Sequence, residues 1–286
     1  MLHLMRLVFW VIFSLLVGFI IHLLMYFTLL IYPFSKPTYR KINYWVSDVI
    51  WGFWGYIITE HHKVQICYTG DQVISSENAI IISNHQSWSD ILIIIAMARK
   101  AKMTANLKWM AKSGLKYIPL IGWGMHFIDC IFLKRDWAKD RNAIEKTFEK
   151  IVKNNISFWL TIFPEGTRQT PEKLIRSQEI SKQKGLQVWR HVMLPKPRGL
   201  AASIHGLRPN LQAIYSFTIH YHDQPIPSPA HVFAGLVGRV DVHIRRYSLD
   251  EIKLLDTEKA VKNFLMIDFQ EKERWIASLS NRRQNR

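Results

Sequence analysis

Residues 79–95 constrain this chain more than any other stretch. An apolar run, Ala79-Ile80-Ile81-Ile82, meets a polar cluster, Ser83-Asn84-His85-Gln86-Ser87-Trp88-Ser89-Asp90, and a second apolar run, Ile91-Leu92-Ile93-Ile94-Ile95, leaves it. Short runs without polar alternation have water on neither face, so the first reads as a buried strand and the second as the opening of a buried helix. The polar cluster then falls at a strand-to-helix turn. On a continuous helix His85 and Asp90 would stand about 140° apart around the axis, too far to meet. Across a turn they can meet, with the aspartate accepting a hydrogen bond from one ring nitrogen and the other left free as a base. A capped helix start with an ordinary histidine has the same pattern, and the chain holds 12 histidines. The rest of the sequence has to decide.

Residues 7–32 carry no formal charge and are interrupted only by His22 and Gly18. That length suffices to cross a hydrocarbon core, and a cleaved signal peptide would show a shorter apolar core and a small-residue cleavage site. Lys36, Arg40 and Lys41 follow the segment and Arg6 precedes it, a bias that favours a cytoplasmic side for everything downstream. Residues 44–58 hold Trp45, Trp51 and Trp54 together with Ser47 and Asp48, too short and too polar for a span and suited to an interface. Residues 1–60 are therefore read as a membrane-anchoring helix pair and 61–286 as one folded domain. A formal charge of +16 asks for a polyanionic partner. With 49% hydrophobic residues, 11 tryptophans and no clustered basic helix, the expected partner is an anionic membrane surface and not nucleic acid.

From Lys63 onward short apolar runs alternate with amphipathic stretches, the pattern of an α/β domain. Strands are expected at 64–68 (an edge), 80–83, 131–133, 156–163, 211–221 and 240–246. Helices are expected at 91–97, at 141–154 and at 258–278; in the second, Ile144, Phe148, Ile151 and Val152 share one face. Residues 170–184 are polar and read as a surface excursion. Cys67 and Cys130 form no metal-spaced set and read as small buried hydrophobes. His61-His62, and His220 with His222, lack a third and fourth ligand at metal spacing, so no metal site is expected.

A second polar block, Phe163-Pro164-Glu165-Gly166-Thr167-Arg168, follows the strand at 156–163. Proline ends the ladder, glycine permits a tight turn, and arginine offers a planar fork for phosphate. An ordinary turn with a Glu165–Arg168 ion pair is the plainer reading of that block alone. Between the two blocks, Lys112-Ser113-Gly114-Leu115-Lys116-Tyr117-Ile118-Pro119 leads through Gly122-Trp123-Gly124 to Phe132-Leu133-Lys134-Arg135.

In this order the N-H-x4-D, K-x-x-L-K-x-I-P and F-P-E-G-T-R blocks resemble the glycerolipid acyltransferases, the superfamily of the lysophosphatidate acyltransferases, over roughly residues 45–250. The N-H-Q-S-W-x-D form is similar to the branch holding lysocardiolipin and lysophosphatidylinositol acyltransferases and to bacterial inner-membrane enzymes. The resemblance implies a mixed β-sheet flanked by helices behind the N-terminal hydrophobic helices, in a bacterial inner membrane with the catalytic domain on the cytoplasmic face. It implies His85 as general base oriented by Asp90, and Glu165, Gly166 and Arg168, with Lys112 and Arg135, on the acceptor's glycerol phosphate. Leu194, Pro195 and Gly199 match a block associated with the acyl donor. The co-substrates are a lysophospholipid, by default 1-acylglycerol-3-phosphate, and acyl-CoA or acyl-acyl-carrier protein; no cofactor is implied. No G-x-S-x-G elbow is present, which favours direct transfer over a covalent acyl-enzyme. Lysocardiolipin, lysophosphatidylglycerol or lysophosphatidylinositol as acceptor, a thioesterase or hydrolase using the same pair on water, and a non-catalytic membrane-tethered basic module are the alternatives.

Overall fold

The computed structural model describes residues 1–118, 122–134, 136–223 and 225–284. Two long helices open the chain, α1 (Leu2–Phe27) and α2 (Lys36–Tyr56). Then come β1 (Gln65–Gly70), β2 (Ala79–Ser83), α3 (Ser89–Lys100), β3 (Leu107–Lys112), α4 (Gly122–Phe127), β4 (Ile131–Leu133), α5 (Trp137–Lys153) and β5 (Trp159–Ile162). The remainder is α6 (Pro171–Gln183), α7 (Pro197–Leu207), β6 (Ala213–Tyr221), α8 (Pro229–Phe233), β7 (Arg239–Tyr247), α9 (Leu249–Lys253) and α10 (Glu258–Gln284).

The strands form one mixed sheet in the order β1-β7-β6-β2-β5-β3-β4. β6, β2, β5, β3 and β4 run parallel, while β7 is antiparallel to β6 and carries β1 parallel to itself. Every residue of β2 and β5 is buried. Alternate side chains feed two cores, as a pleated strand requires. Ala79 and Ile81 join Trp159 and α3 on one face, and Ile80 and Ile82 join Leu160 and the apolar faces of α5, α7 and α10 on the other. Loops leaving the carboxyl ends of β2 and β5 therefore emerge side by side at the middle of the sheet, where open α/β sheets place their ligands.

Residues 170–184 are not an irregular excursion. They form α6, started by Pro171 and by the Thr170 hydroxyl, which accepts from the Lys173 N–H. Residues 44–56 belong to the longer α2, whose start is set by Ser35 and Pro37, and Ile57–His61 continue it as a π turn.

α1 continues through a short 3₁₀ turn to Leu30 and is long and apolar enough to cross a membrane. It also touches the domain at both ends. Near its start His3 Nδ1 lies 3.0 Å from the Ala234 carbonyl oxygen and Trp10 packs edge-on against His61 and His62. Near its end Tyr26 packs against Trp123 and Phe127. Trp10 and Met25, with Val46 and Trp54 of α2, join the same apolar core as α3 and the sheet. The opposite stripe is bare, with Leu4, Leu16 and Phe19 at least 60% exposed.

Candidate active site

β2 hands over to α3 through residues 84–88, and the side chains of Asn84, Ser87 and the following Ser89 tie that loop down. The Asn84 amide continues the sheet where β2 leaves it: Nδ2 donates to the Ile219 carbonyl and Oδ1 accepts from the Ile219 N–H, both at 2.9 Å. A side chain thus replaces the missing rung beside β6, which extends beyond β2. The Ser87 and Ser89 hydroxyls both donate to the Pro227 carbonyl and tie down the loop after β6.

Asp90 lies in the first turn of α3 with no exposed surface. One of its oxygens, Oδ2, accepts from the backbone N–H groups of Gln86 and Ser87 at 2.8 and 2.9 Å and lies 2.9 Å from His85 Nδ1. The other, Oδ1, accepts from the Tyr221 hydroxyl at 2.8 Å. Three donors besides the histidine, at a helix N-terminus, favour an ionised carboxylate, which can only accept. Nδ1 therefore carries the proton, and Nε2, without a protein partner among the described residues, keeps its lone pair. The imidazole stacks on Phe163 with centroids 3.9 Å apart and stands edge-on to Trp88. Burial and the Asp90 charge push the Tyr221 hydroxyl far above the usual phenol range, so it stays a donor.

The turn after β5 sits against this loop. The Gly166 N–H donates to the Phe163 carbonyl, Gly166 adopts a positive φ of 73°, and the Gln169 N–H donates to the His85 carbonyl at 2.8 Å. α6 pins the turn from outside through Lys173, whose ammonium reaches the Thr167 hydroxyl and the Arg168 carbonyl. Arg168 is exposed, its guanidinium 6.0 Å from the Trp88 ring centroid. The structure does not pair Glu165 with Arg168. Glu165 is 2% exposed and faces inward, where burial and the Asp90 charge push its carboxyl well above the usual range. The Lys272 ammonium and the His85 and Met193 backbone N–H groups pull the other way, but no group is in hydrogen-bond geometry with either Glu165 oxygen among the described residues.

Lys112, the exposed last residue of β3, lies at the same sheet end as the His85 loop by the register of β3 on β5. The 194–199 block also arrives here. The Lys196 N–H donates to the Pro164 carbonyl at 2.8 Å, Leu194 is held by the Ser177 hydroxyl, and Pro197-Arg198-Gly199 open α7. Arg135 lies outside the described residues. Tyr221 and Lys272 escaped the sequence reading. Tyr221 gives no local signal. Lys272 does: it falls on the stripe of Leu265, Phe269 and Ile276 of α10, a cation where spacing demands an apolar side chain. Fully buried, it donates to Ser216, the Phe217 carbonyl and Thr218 and pairs with Asp268.

A family model described as Acyltransferase matches residues 65–187, which holds both loops. A 1-acyl-sn-glycerol-3-phosphate acyltransferase of Arabidopsis thaliana is 32% identical over 250 residues, 84% of this chain and 65% of the relative. Over these residues the chain is similar to the glycerolipid acyltransferases. A second superfamily member, 1-acyl-sn-glycerol-3-phosphate acyltransferase gamma of Homo sapiens, is 29% identical over 260 residues, 90% of this chain and 69% of its own length. The chain spans 58 to 65% of the length of five plant relatives. The fold is matched by the crystal structure of the 1-acyl-sn-glycerophosphate (LPA) acyltransferase PlsC of Thermotoga maritima. The TM-score is 0.54 at 18% identity, over 92% of this chain and 96% of that one.

Proposed function

We propose that this protein is a membrane-attached lysophospholipid acyltransferase that moves an acyl group from acyl-CoA or acyl-acyl-carrier protein to the free hydroxyl of 1-acylglycerol-3-phosphate, giving phosphatidic acid. The observation that carries the reading is the buried Asp90 carboxylate, held by three donors and fixing the His85 tautomer so that Nε2 is the basic atom, on a loop whose Trp88 ring lies near the exposed Arg168. Nε2 takes the acceptor's hydroxyl proton as the oxygen attacks the thioester carbonyl. The imidazolium formed is stabilised by Asp90, as in other His–Asp pairs. Collapse of the tetrahedral intermediate expels a thiolate, whose thiol has a pKa of about 8.5, and His85 returns the proton to it. Arg168 and Lys112, exposed at the same sheet end, supply the positive charge for the acceptor's phosphate, and the 164–166 turn with the 194–199 block forms the neighbouring wall. Glu165 lies buried beneath the turn, away from the acceptor's phosphate. The bare stripe of α1 lies in the bilayer.

The test is acylation by purified protein of lysophosphatidate, lysophosphatidylglycerol, lysocardiolipin and lysophosphatidylinositol from both donors, with His85→Ala in parallel. The proposal requires acceptor-dependent thiol release that His85→Ala abolishes. Fatty acid released without an acceptor would make the protein a hydrolase, and wild-type turnover by the variant would remove His85 from the mechanism.

A further inference from the structure

At the β4 edge of the sheet, three strands and about 14 Å from β2, a cleft of about 1020 Å³ opens between the α1–α2 junction, α4 and α5. The His85 loop, Arg168 and Lys112 do not line it. Its cations converge from unrelated parts of the chain: Lys36 and Arg40 on α2, Lys116 after β3, and Lys146 and Lys153 on α5. Among the described residues none of these five is in an ion pair with a carboxylate, whereas the carboxylate of the cleft, Asp129, is taken by Lys150 and by the Tyr44 hydroxyl. A cation in the last turn of α5 suits its dipole, which covers Lys153 but does not account for Lys36, Arg40, Lys116 or Lys146. Aromatic side chains stand between the charges, Tyr117 and Trp123 being 74% and 40% exposed. Leu29 and Tyr26, where α1 ends, form part of the wall, so the bare apolar stripe of α1 runs into the cleft.

Cations for a phosphate, rings at headgroup depth and an adjoining apolar track for chains are the parts needed to hold one anionic phospholipid. We propose that this cleft binds the headgroup of an anionic phospholipid drawn from the surrounding bilayer, at a site separate from the acyl-transfer site. The proposal goes beyond the acyltransferase reading and needs no turnover. It requires only that the α1 stripe meets a membrane.

The experiment uses the full chain and its His85→Ala variant, co-floated with vesicles of phosphatidylcholine alone or doped with phosphatidylglycerol. The triple change Arg40→Gln/Lys146→Gln/Lys153→Gln is compared with a charge-matched control at Lys182, Lys184 and Lys259, and circular dichroism verifies the fold of each. Each cleft cation removed lowers partition onto the doped vesicles by about fivefold. The control triple and His85→Ala float like the wild type, and binding to neutral vesicles is unchanged in all. Equal losses in the cleft and control triples would reduce the effect to general surface charge and overturn the site. Release from doped vesicles by inorganic phosphate at fixed ionic strength, in the wild type and not in the cleft triple, would show a site for free phosphate and overturn the lipid assignment.

Discussion

Tyr221→Phe isolates one hydrogen bond of the His85–Asp90 pair without touching either member. The hydroxyl lies 2.8 Å from Asp90 Oδ1, with Tyr221 1% exposed and Asp90 not exposed at all. A hydrogen bond to a charged group contributes about 1.5–3 kcal/mol, so the variant should lose roughly that stability, a Tm drop of several degrees. The more informative effect is on His85. Stripped of one donor, the carboxylate presents more of its charge to the imidazole and stabilises the imidazolium over the free base that accepts the substrate proton. If a third to a half of the lost energy is felt there, kcat/KM on the acid side of its pH profile, followed by thiol release, should fall by about two- to tenfold, at 1.36 kcal/mol per tenfold, with the plateau less affected. An acid side left unchanged or raised, in a variant that has lost the expected stability, would refute the coupling of Tyr221 to the base through Asp90.

Other substitutions test separate parts of the construction. Arg168→Lys replaces a planar fork with a point charge and should raise KM for the lysophospholipid about tenfold with kcat nearly unchanged; a kcat loss at constant KM would exclude phosphate binding. Asn84→Ala orphans the buried N–H and carbonyl of Ile219 and should cost about 2–6 kcal/mol in denaturant unfolding, from two unsatisfied groups at about 1–3 kcal/mol each. A change below about 1 kcal/mol would mean the side-chain rung is dispensable. Burial lowers the pKa of Lys108 from 10.5 to about 8. Between those values the unfolded chain holds a proton that the folded one releases, so stability should climb as pH rises from about 8 toward 10.5, by up to about 1.4 kcal/mol per unit. Lys108→Met should remove that climb, and a wild-type curve parallel to the variant's would contradict the depressed pKa.

The His85–Asp90 geometry was legible because both residues and the apolar runs that aim them lie within one strand–turn–helix segment. β2, β5 and α5 were legible for the same reason: continuous apolar runs and a 3.6-residue stripe are local. β3 was missed because buried Lys108 and terminal Lys112 interrupt its apolar pattern; burial there is possible because the Lys108 ammonium donates to Tyr44 and to the Ile128 carbonyl. α6 was missed because a surface helix needs only a cap and a proline to start, and its polar composition looks like a loop. Glu165 was read with Arg168 from their spacing, and only the packing of the 164–166 turn against the His85 loop shows that the two side chains face opposite ways.

By itself, then, the sequence determined the local chemistry: a base and its carboxylate at a strand end, a proline-glycine turn carrying an arginine, and an uncharged apolar helix ahead of both. The tertiary structure decided what these residues meet. Parallel pairing of β2 with β5 sets the two loops side by side, the greater length of β6 brings Tyr221 under Asp90, and the docking of α1 along the domain leaves one stripe bare. The physical reason is that hydrophobic periodicity and turn chemistry act over a few residues. Partners 131 and 135 positions apart, Tyr221 with Asp90 and Ile219 with Asn84, are chosen by strand order and register, which no local pattern encodes.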